Sequence, residues 1–236
     1  MSNVQWIDTQ RSVMQERVVR WSNINSGTFN LRGLEQLANE LRRDFDVLGG
    51  ATESLALEPA PSIDAEGRTI PLPLGKALRI RKRPDAPMRV LACIHMDTVY
   101  SSDDPFQTTT LVDENTLRGP GVADAKGGLA VMLTALEALE RSPHAAGIGW
   151  EVLINPDEET GSVGSGPLLT ESAHANHLGL VFEPALPGGA LAERRRGAGN
   201  FTVVVRGRSA HAGRQLPPCC RRGNRCGRRG AEPRGP

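Results

Sequence analysis

The sequence predicts an α/β fold with a largely parallel sheet. Apolar runs that read as strands alternate with segments of helical periodicity, the pattern of sheets crossed by helices. One of those helices is apolar nearly all round, which calls for burial between other elements. No internal repeat is present, so a solenoid or array is not indicated.

Taken in order, residues 8–21 and 30–48 read as amphipathic helices. In the second, Leu34, Leu37, Leu41, Phe45 and Leu48 recur at spacings of three and four, and Gly49-Gly50 ends the helix. "KALRIRKR" and "MRVLACIHM" read as strands around the turn-forming "RPDAP". "GGLAVMLTALEALE" (127–140) is the buried helix, starting at a glycine pair. "GWEVLINP" is a strand, "GSGPLLTESAHA" opens a helix, and "HLGLVFEP" is a further short strand. "NFTVVVRGRSAH" begins a new β segment with period-two alternation.

A chain of 236 residues holds one large domain, or one domain and part of a second. Its 39% hydrophobic content suits a packed core. The net charge of +1 hides an asymmetry. Residues 215–236 carry six basic residues and one acidic, while residues 1–214 carry 22 basic against 26 acidic. A mildly acidic body gives no reason to expect nucleic acid or an anionic membrane as partner. The opening segment lacks an apolar signal region and no later stretch has the length of a membrane span, so a soluble protein is expected. Only Cys93 lies in the body, which fits a reducing cytoplasm.

Four clusters, each at or after a strand, could carry chemistry, and ligand sites in open α/β sheets gather at the carboxyl ends of strands. In "CIHMDTVY", His95 and Asp97 are two apart and project to one face if the strand continues. A metal-binding imidazole commonly hands its other N–H to a carboxylate, although a structural His–Asp pair has the same spacing. In "GPGVADAKGGLA", Asp124 precedes a helix, where capping is the ordinary use of Asp. "INPDEETGS" sets Asp157, Glu158 and Glu159 after a buried strand, with a solvated acidic loop as the alternative. Glu158 and Glu159 diverge, so one can bind metal while the other serves as a base. In "VFEPALP", Glu183 ends an apolar strand and needs a cation, a hydrogen-bond network or solvent. Together, carboxylates and an imidazole without thiolate suit zinc, cobalt or manganese. An Asp bridging two ions makes a hydrolytic centre that activates water and polarises a carbonyl.

"HMDTV", "GVADAKGG", "DEETGS" and "FEP", in this order and at these spacings, resemble the M20 metallopeptidases, nearest their carboxypeptidase G2-like branch. "NINSGTFNLRGLEQLANEL" near the start shares the resemblance, which runs to Arg214. It implies a zinc-exopeptidase-like fold: a three-layer α/β/α catalytic domain over 1–195 and the start of an α+β lid or dimerisation domain over 196–214. It implies His95, Asp124, Glu159 and Glu183 as metal ligands, with Asp124 bridging two Zn²⁺ ions, Co²⁺ or Mn²⁺ being alternatives. Asp97 then orients His95, the peptide after Asp124 is cis, and Glu158 is the general base. "GRSAHAG" resembles the lid segment whose histidine, His211 here, stabilises an oxyanion. The implied activity is hydrolysis of an amide bond in a peptide or N-acyl amino acid, by a homodimer. His144, His174 and His177 match no motif and read as surface residues.

The family pattern continues with a completed lid, closing strands and a last metal-binding histidine, and no histidine follows His211 here. Residues 215–236, rich in Arg, Gly, Pro and Cys, read as the product of a frame change near codon 214 and as disordered. Cys219, Cys220 and Cys226 lack zinc-site spacing and a fourth ligand. Two classes therefore stay open: a metal-dependent amide hydrolase, and a non-catalytic remnant with at most one intact metal site.

Overall fold

The computed structural model describes residues 3–185, 187–190 and 202–204. The chain divides into a first unit, Met1–Ser62 with Thr69–Gly197, and a second, Ile63–Arg68 with Ala198–Pro236. Of the second unit, 63–68 form a turn closed by Asp64, whose carboxylate accepts the main-chain N–H groups of Glu66 and Arg68 at 2.9 and 2.8 Å. The β segment expected over 200–211 lies outside the described residues apart from 202–204, as do most of the expected lid and the whole tail.

The first unit is built on a five-stranded sheet in the order β1-β4-β8-β5-β9. These strands are β1 (Ala51–Leu55), β4 (Ala77–Lys82), β5 (Met88–His95), β8 (Ile148–Asn155) and β9 (Leu178–Val181). Two hairpins, β2 (Ala60–Ile63) with β3 (Thr69–Leu72) and β6 (Thr110–Asp113) with β7 (Thr116–Arg118), form separate two-stranded sheets that the sequence reading did not anticipate.

The sheet is mixed rather than largely parallel. β5 runs parallel to both β8 and β9, whereas β4 is antiparallel to β1 and to β8. The cause is the short "RPDAP" turn, which reverses the chain without the helical crossover that a parallel connection needs. β8 then inserts between the two strands that the turn joins.

The helices are α1 (Asn3–Asp8), α2 (Arg11–Ser22), α3 (Leu31–Phe45), α4 (Gly127–Glu140) and α5 (Gly166–Ala175). The helix expected over 8–21 forms as α2, and the short helix α1 precedes it, with Thr9-Gln10 between them. There the Thr9 hydroxyl donates to the Trp6 carbonyl at 2.6 Å and Gln10 N–H turns back to Ile7, so the side chain competes for the helical acceptors. α3 starts at Asn30, whose side chain accepts Gly33 N–H, and its last turn tightens over 46–48 before Gly49 at φ +64° ends it.

Strand alternation divides the core into two faces. Leu78, Ile80, Ala92, Ile94, Trp150, Val152 and Ile154 meet Trp21, Leu34, Leu37, Leu41, Phe45 and the buried side of α4. On the other face Ala77, Leu91, Cys93 and Leu153 meet Leu168 and Leu169 of α5. This is the expected α/β/α layering, and each large side chain fully buried contributes about 1.5–3 kcal/mol relative to exposure. α4 is not apolar to the core all round: Val131 is 49% exposed on its outer side. The α4 terminus is tied down by Glu140, which accepts from Lys82, Arg83 and Trp150.

The parallel trio β8-β5-β9 positions the site. Its register places His95 opposite Asn155 and Cys93 opposite Val181. The loops that follow β5, β8 and β9 therefore leave from one end of the sheet.

Candidate metal centre

His95 is the last residue of β5 and 1% exposed. Its Nδ1 lies 3.0 Å from the Asp97 carbonyl and 3.3 Å from Asp97 Oδ1. Its Nε2 faces the opposite way, 2.8 Å from Asp124 Oδ1 and 3.9 Å from Glu183 Oε2. One nitrogen is held and the other is turned to carboxylates, which is how a metal-binding imidazole is prepared. Burial disfavours the imidazolium, but Asp97, Asp124 and Glu183 outweigh that cost and hold the ring at about 9.

Asp97 is fully buried and lies just past the end of β5, so it reaches His95 through a turn rather than along a strand face. Its Oδ1 accepts Glu158 N–H at 3.1 Å. Its Oδ2 accepts Glu159 N–H at 3.3 Å and the Thr28 hydroxyl at 2.7 Å. Asp97 therefore joins three stretches of chain around the imidazole.

Asp124 sits in the irregular turn Val122–Lys126, and the Asp124–Ala125 peptide is cis, as expected. Its carboxylate meets His95 instead of capping α4. Lys126, next to it, is 1% exposed with its ammonium on the Ile24 carbonyl at 3.2 Å; burial pushes it down to about 7. The three acids after β8 divide their tasks. Asp157 is buried and turned inward, accepting Gly164 and Ser165 N–H at 2.9 and 3.1 Å, which pins the loop. Glu158 and Glu159 are half-buried and turned to the centre. Burial pushes the Glu159 carboxyl up; the pull of His95 opposes this, while the neighbouring carboxylates add to it.

Two ligand sets result. His95, Glu158 and Glu183 each bring a ligating atom within 4.8 Å of the others, and so do His95, Asp124 and Glu159. An imidazole with carboxylates and no thiolate is the donor set of zinc and related divalent ions, so these residues fit the expected metal. Cys93 does not join them: it packs with Ala77, Leu91 and Leu153, and burial, then Glu183, push its thiol up.

Residues 92–209 match the family model described as peptidase family M20/M25/M40. The chain belongs to this peptidase family. It is 30% identical over 192 residues to carboxypeptidase G2 of Pseudomonas sp. (strain RS-16), covering 81% of this chain and 43% of that protein. It is 32% identical over 157 residues to succinyl-diaminopimelate desuccinylase of Hahella chejuensis (strain KCTC 2396), covering 59% and 40%. Among solved structures, human carnosine dipeptidase 1 superposes with a TM-score of 0.61 at 17% identity, covering 78% of this chain and 41% of that one. The M20 family metallo-carboxypeptidase Sso-CP2 from Sulfolobus solfataricus gives 0.58 at 16% identity, covering 75% and 38%. These two likenesses concern the fold. The chain spans about two fifths of the length of the relatives it matches.

Of the site residues anticipated in this M20 chain, His95, Asp97, Asp124, Glu158, Glu159 and Glu183 meet in one place. His211 lies outside the described residues, as do Cys219, Cys220 and Cys226. The sequence reading missed Thr28. The "NINSGTFN" stretch was its signal: Thr28 N–H donates to the Thr98 carbonyl, Thr98 N–H donates to the Ser26 carbonyl, and Gly27 bridges Thr98. A Cβ on Gly27 would lie 2.3 Å from the Tyr100 carbonyl oxygen, so only glycine permits this approach.

Proposed function

We propose that the chain carries the metal-holding part of a hydrolase that cleaves an amide bond in a peptide or N-acyl amino acid. The observation behind this is the convergence of His95 with Asp124, Glu158, Glu159 and Glu183 at the ends of parallel strands. In this reading His95, Asp124, Glu159 and Glu183 hold two divalent ions, zinc first, with Asp124 shared. Bound there, such ions polarise a substrate carbonyl and lower the pKa of water.

Glu158 is the general base. Its main-chain N–H is fixed on Asp97, so its carboxylate is offered to the centre in a set direction. An Oε of Glu158 takes the proton of the attacking water and returns it to the leaving amine nitrogen. Asp97 keeps His95 Nδ1 occupied, leaving Nε2 for the metal. His211 is the proposed oxyanion donor, and a homodimer the proposed assembly. No helix among the described residues is long and apolar enough to cross a membrane. The free, buried Cys93 suits the cytoplasm we propose as its location.

Calorimetric zinc titration of the purified chain, together with hydrolysis of N-acyl amino acids, tests this reading. The expected result is near-stoichiometric zinc, with turnover that Glu158→Gln lowers by about 10²–10⁴-fold while zinc is retained. Loss of zinc in Glu158→Gln would instead make Glu158 a ligand. Zinc without turnover in the unaltered chain would assign it a metal-holding role only, and absence of zinc binding sinks the proposal.

A further inference from the structure

Beside Glu159 lies a cavity of about 350 Å³, bounded by the 27–30 and 98–102 stretches and by Thr160. We infer that it is the subsite for an uncharged, apolar side chain of the substrate, next to the amide to be cut. This inference rests on the hydrolase reading above and adds a substrate class to it.

Position comes first. Glu159 belongs to both the cavity wall and the ligand set with His95 and Asp124, so an occupant of the cavity is continuous with the centre. The chemistry of the wall then selects the occupant. Phe29 is 57% exposed and Val99 68% exposed, two apolar side chains presented to the opening from separate loops. Four of the polar side chains around them are already engaged. Thr28 donates to Asp97, Asn30 to Asn25, Ser102 to Asp103, and Thr160 to the Asp157 carbonyl. Among the described residues the cavity is lined by no lysine, arginine or histidine, and the charged group among them is the Glu159 carboxylate. A carboxylate-bearing side chain would enter without a cationic side chain among the described lining residues to pair with it. An apolar side chain gains burial and forfeits nothing. The volume lies at the small end of the range for small-molecule sites, roughly 300–1,000 Å³.

The walls are also preformed. Asn25 Nδ2 donates to the Tyr100 and Ser101 carbonyls at 3.2 and 3.0 Å, and its Oδ1 accepts Gly27 N–H at 3.2 Å. With the Gly27–Thr98 bridge, this locks the two loops together before any ligand arrives. The "NINSGTF" segment, which supplies no metal ligand, is thereby accounted for as a specificity wall.

Binding of N-acetyl-L-phenylalanine and N-acetyl-L-aspartate to the zinc-loaded chain, followed by calorimetry, tests the inference. The phenylalanine probe is expected to bind at least about tenfold tighter than the aspartate probe. Phe29→Ala is expected to weaken the phenylalanine probe by about tenfold and leave the aspartate probe unchanged. Val99→Trp, which fills the opening, is expected to exclude the phenylalanine probe but admit N-acetyl-L-alanine. Both positions are exposed, so the unfolding temperature of each variant should match the parent. Equal binding of the first two probes, a preference for aspartate, absence of binding, or indifference to both substitutions would overturn the subsite. Selective binding without turnover keeps the subsite and removes the hydrolase reading. Turnover without apolar preference does the reverse.

Discussion

Asp97 Oδ1 accepts the main-chain N–H of Glu158 at 3.1 Å, although 61 residues of chain separate them. The same carboxylate contacts His95 Nδ1 and accepts from Glu159 and Thr28. It is the point where the β5 end, the acidic loop and the N-terminal segment are fastened. Every partner presents a donor, so the group is needed as an acceptor on both oxygens.

Asp97→Asn keeps the shape and loses that property, because the amide nitrogen must face a donor whichever way it flips. Zinc affinity is expected to fall by roughly 10–100-fold, as for other partners that orient a metal-binding imidazole. Competition against a chromophoric chelator measures it, with circular dichroism confirming the fold. Unchanged affinity would show that Asp97 serves packing alone.

Gly27→Ala sets a Cβ against the Tyr100 carbonyl, with backbone on both sides. The loops must part, at a cost of about 1–3 kcal/mol, and Thr28 moves off Asp97. Lower thermal stability and weaker zinc binding should appear together. Ser26→Ala is the control in the same segment. Its hydroxyl is buried without a hydrogen-bond partner, so deleting it should leave both quantities within error.

Glu140 is the last residue of α4, where a negative charge opposes the helix dipole. Burial raises its pKa further, yet hydrogen bonds from Arg83, Lys82 and Trp150 prevail and hold it at about 2. A folded-state pKa below the unfolded value stabilises fully above the unfolded value, roughly 4.3. That contribution is lost as pH falls through about 2. Glu140→Gln should therefore be less stable than the parent at neutral pH, by on the order of a few kcal/mol. The gap should stay constant above about pH 5 and narrow below it. Urea unfolding at several pH values would reveal a constant gap, if the ion cluster were irrelevant.

Lys126 presents the opposite case, a buried ammonium that donates to the Ile24 carbonyl. Lys126→Met removes the desolvation cost while keeping the stem volume. An unfolding free energy higher by roughly 1–3 kcal/mol is expected for the metal-free chain. A less stable variant would show that the charge has further partners in the folded state.

Much of this was legible from local pattern. The 3–4 spacing of α3, the glycine pair that opens α4 and the apolar runs of β5 and β8 are short-range signals, and each of these elements formed where its pattern placed it. The short helix α1 was not legible, since six residues are too few to show a helical period. Nor were the hairpins β2-β3 and β6-β7, whose strands are short and largely exposed and so carry weak alternation.

The sequence by itself determined which residues could serve the centre, because only His, Asp and Glu among its strand-end residues offer the needed donors. It also determined their family, through the order and spacing of four motifs. Tertiary structure alone decided that Asp157 turns inward while Glu158 and Glu159 face His95. It decided too that Thr28 belongs to the site and that β8 separates the strands flanking the turn. The reason is physical. Spacing along a chain sets local direction, whereas partners 61 and 69 residues apart are chosen by sheet register and by which buried donors must find acceptors.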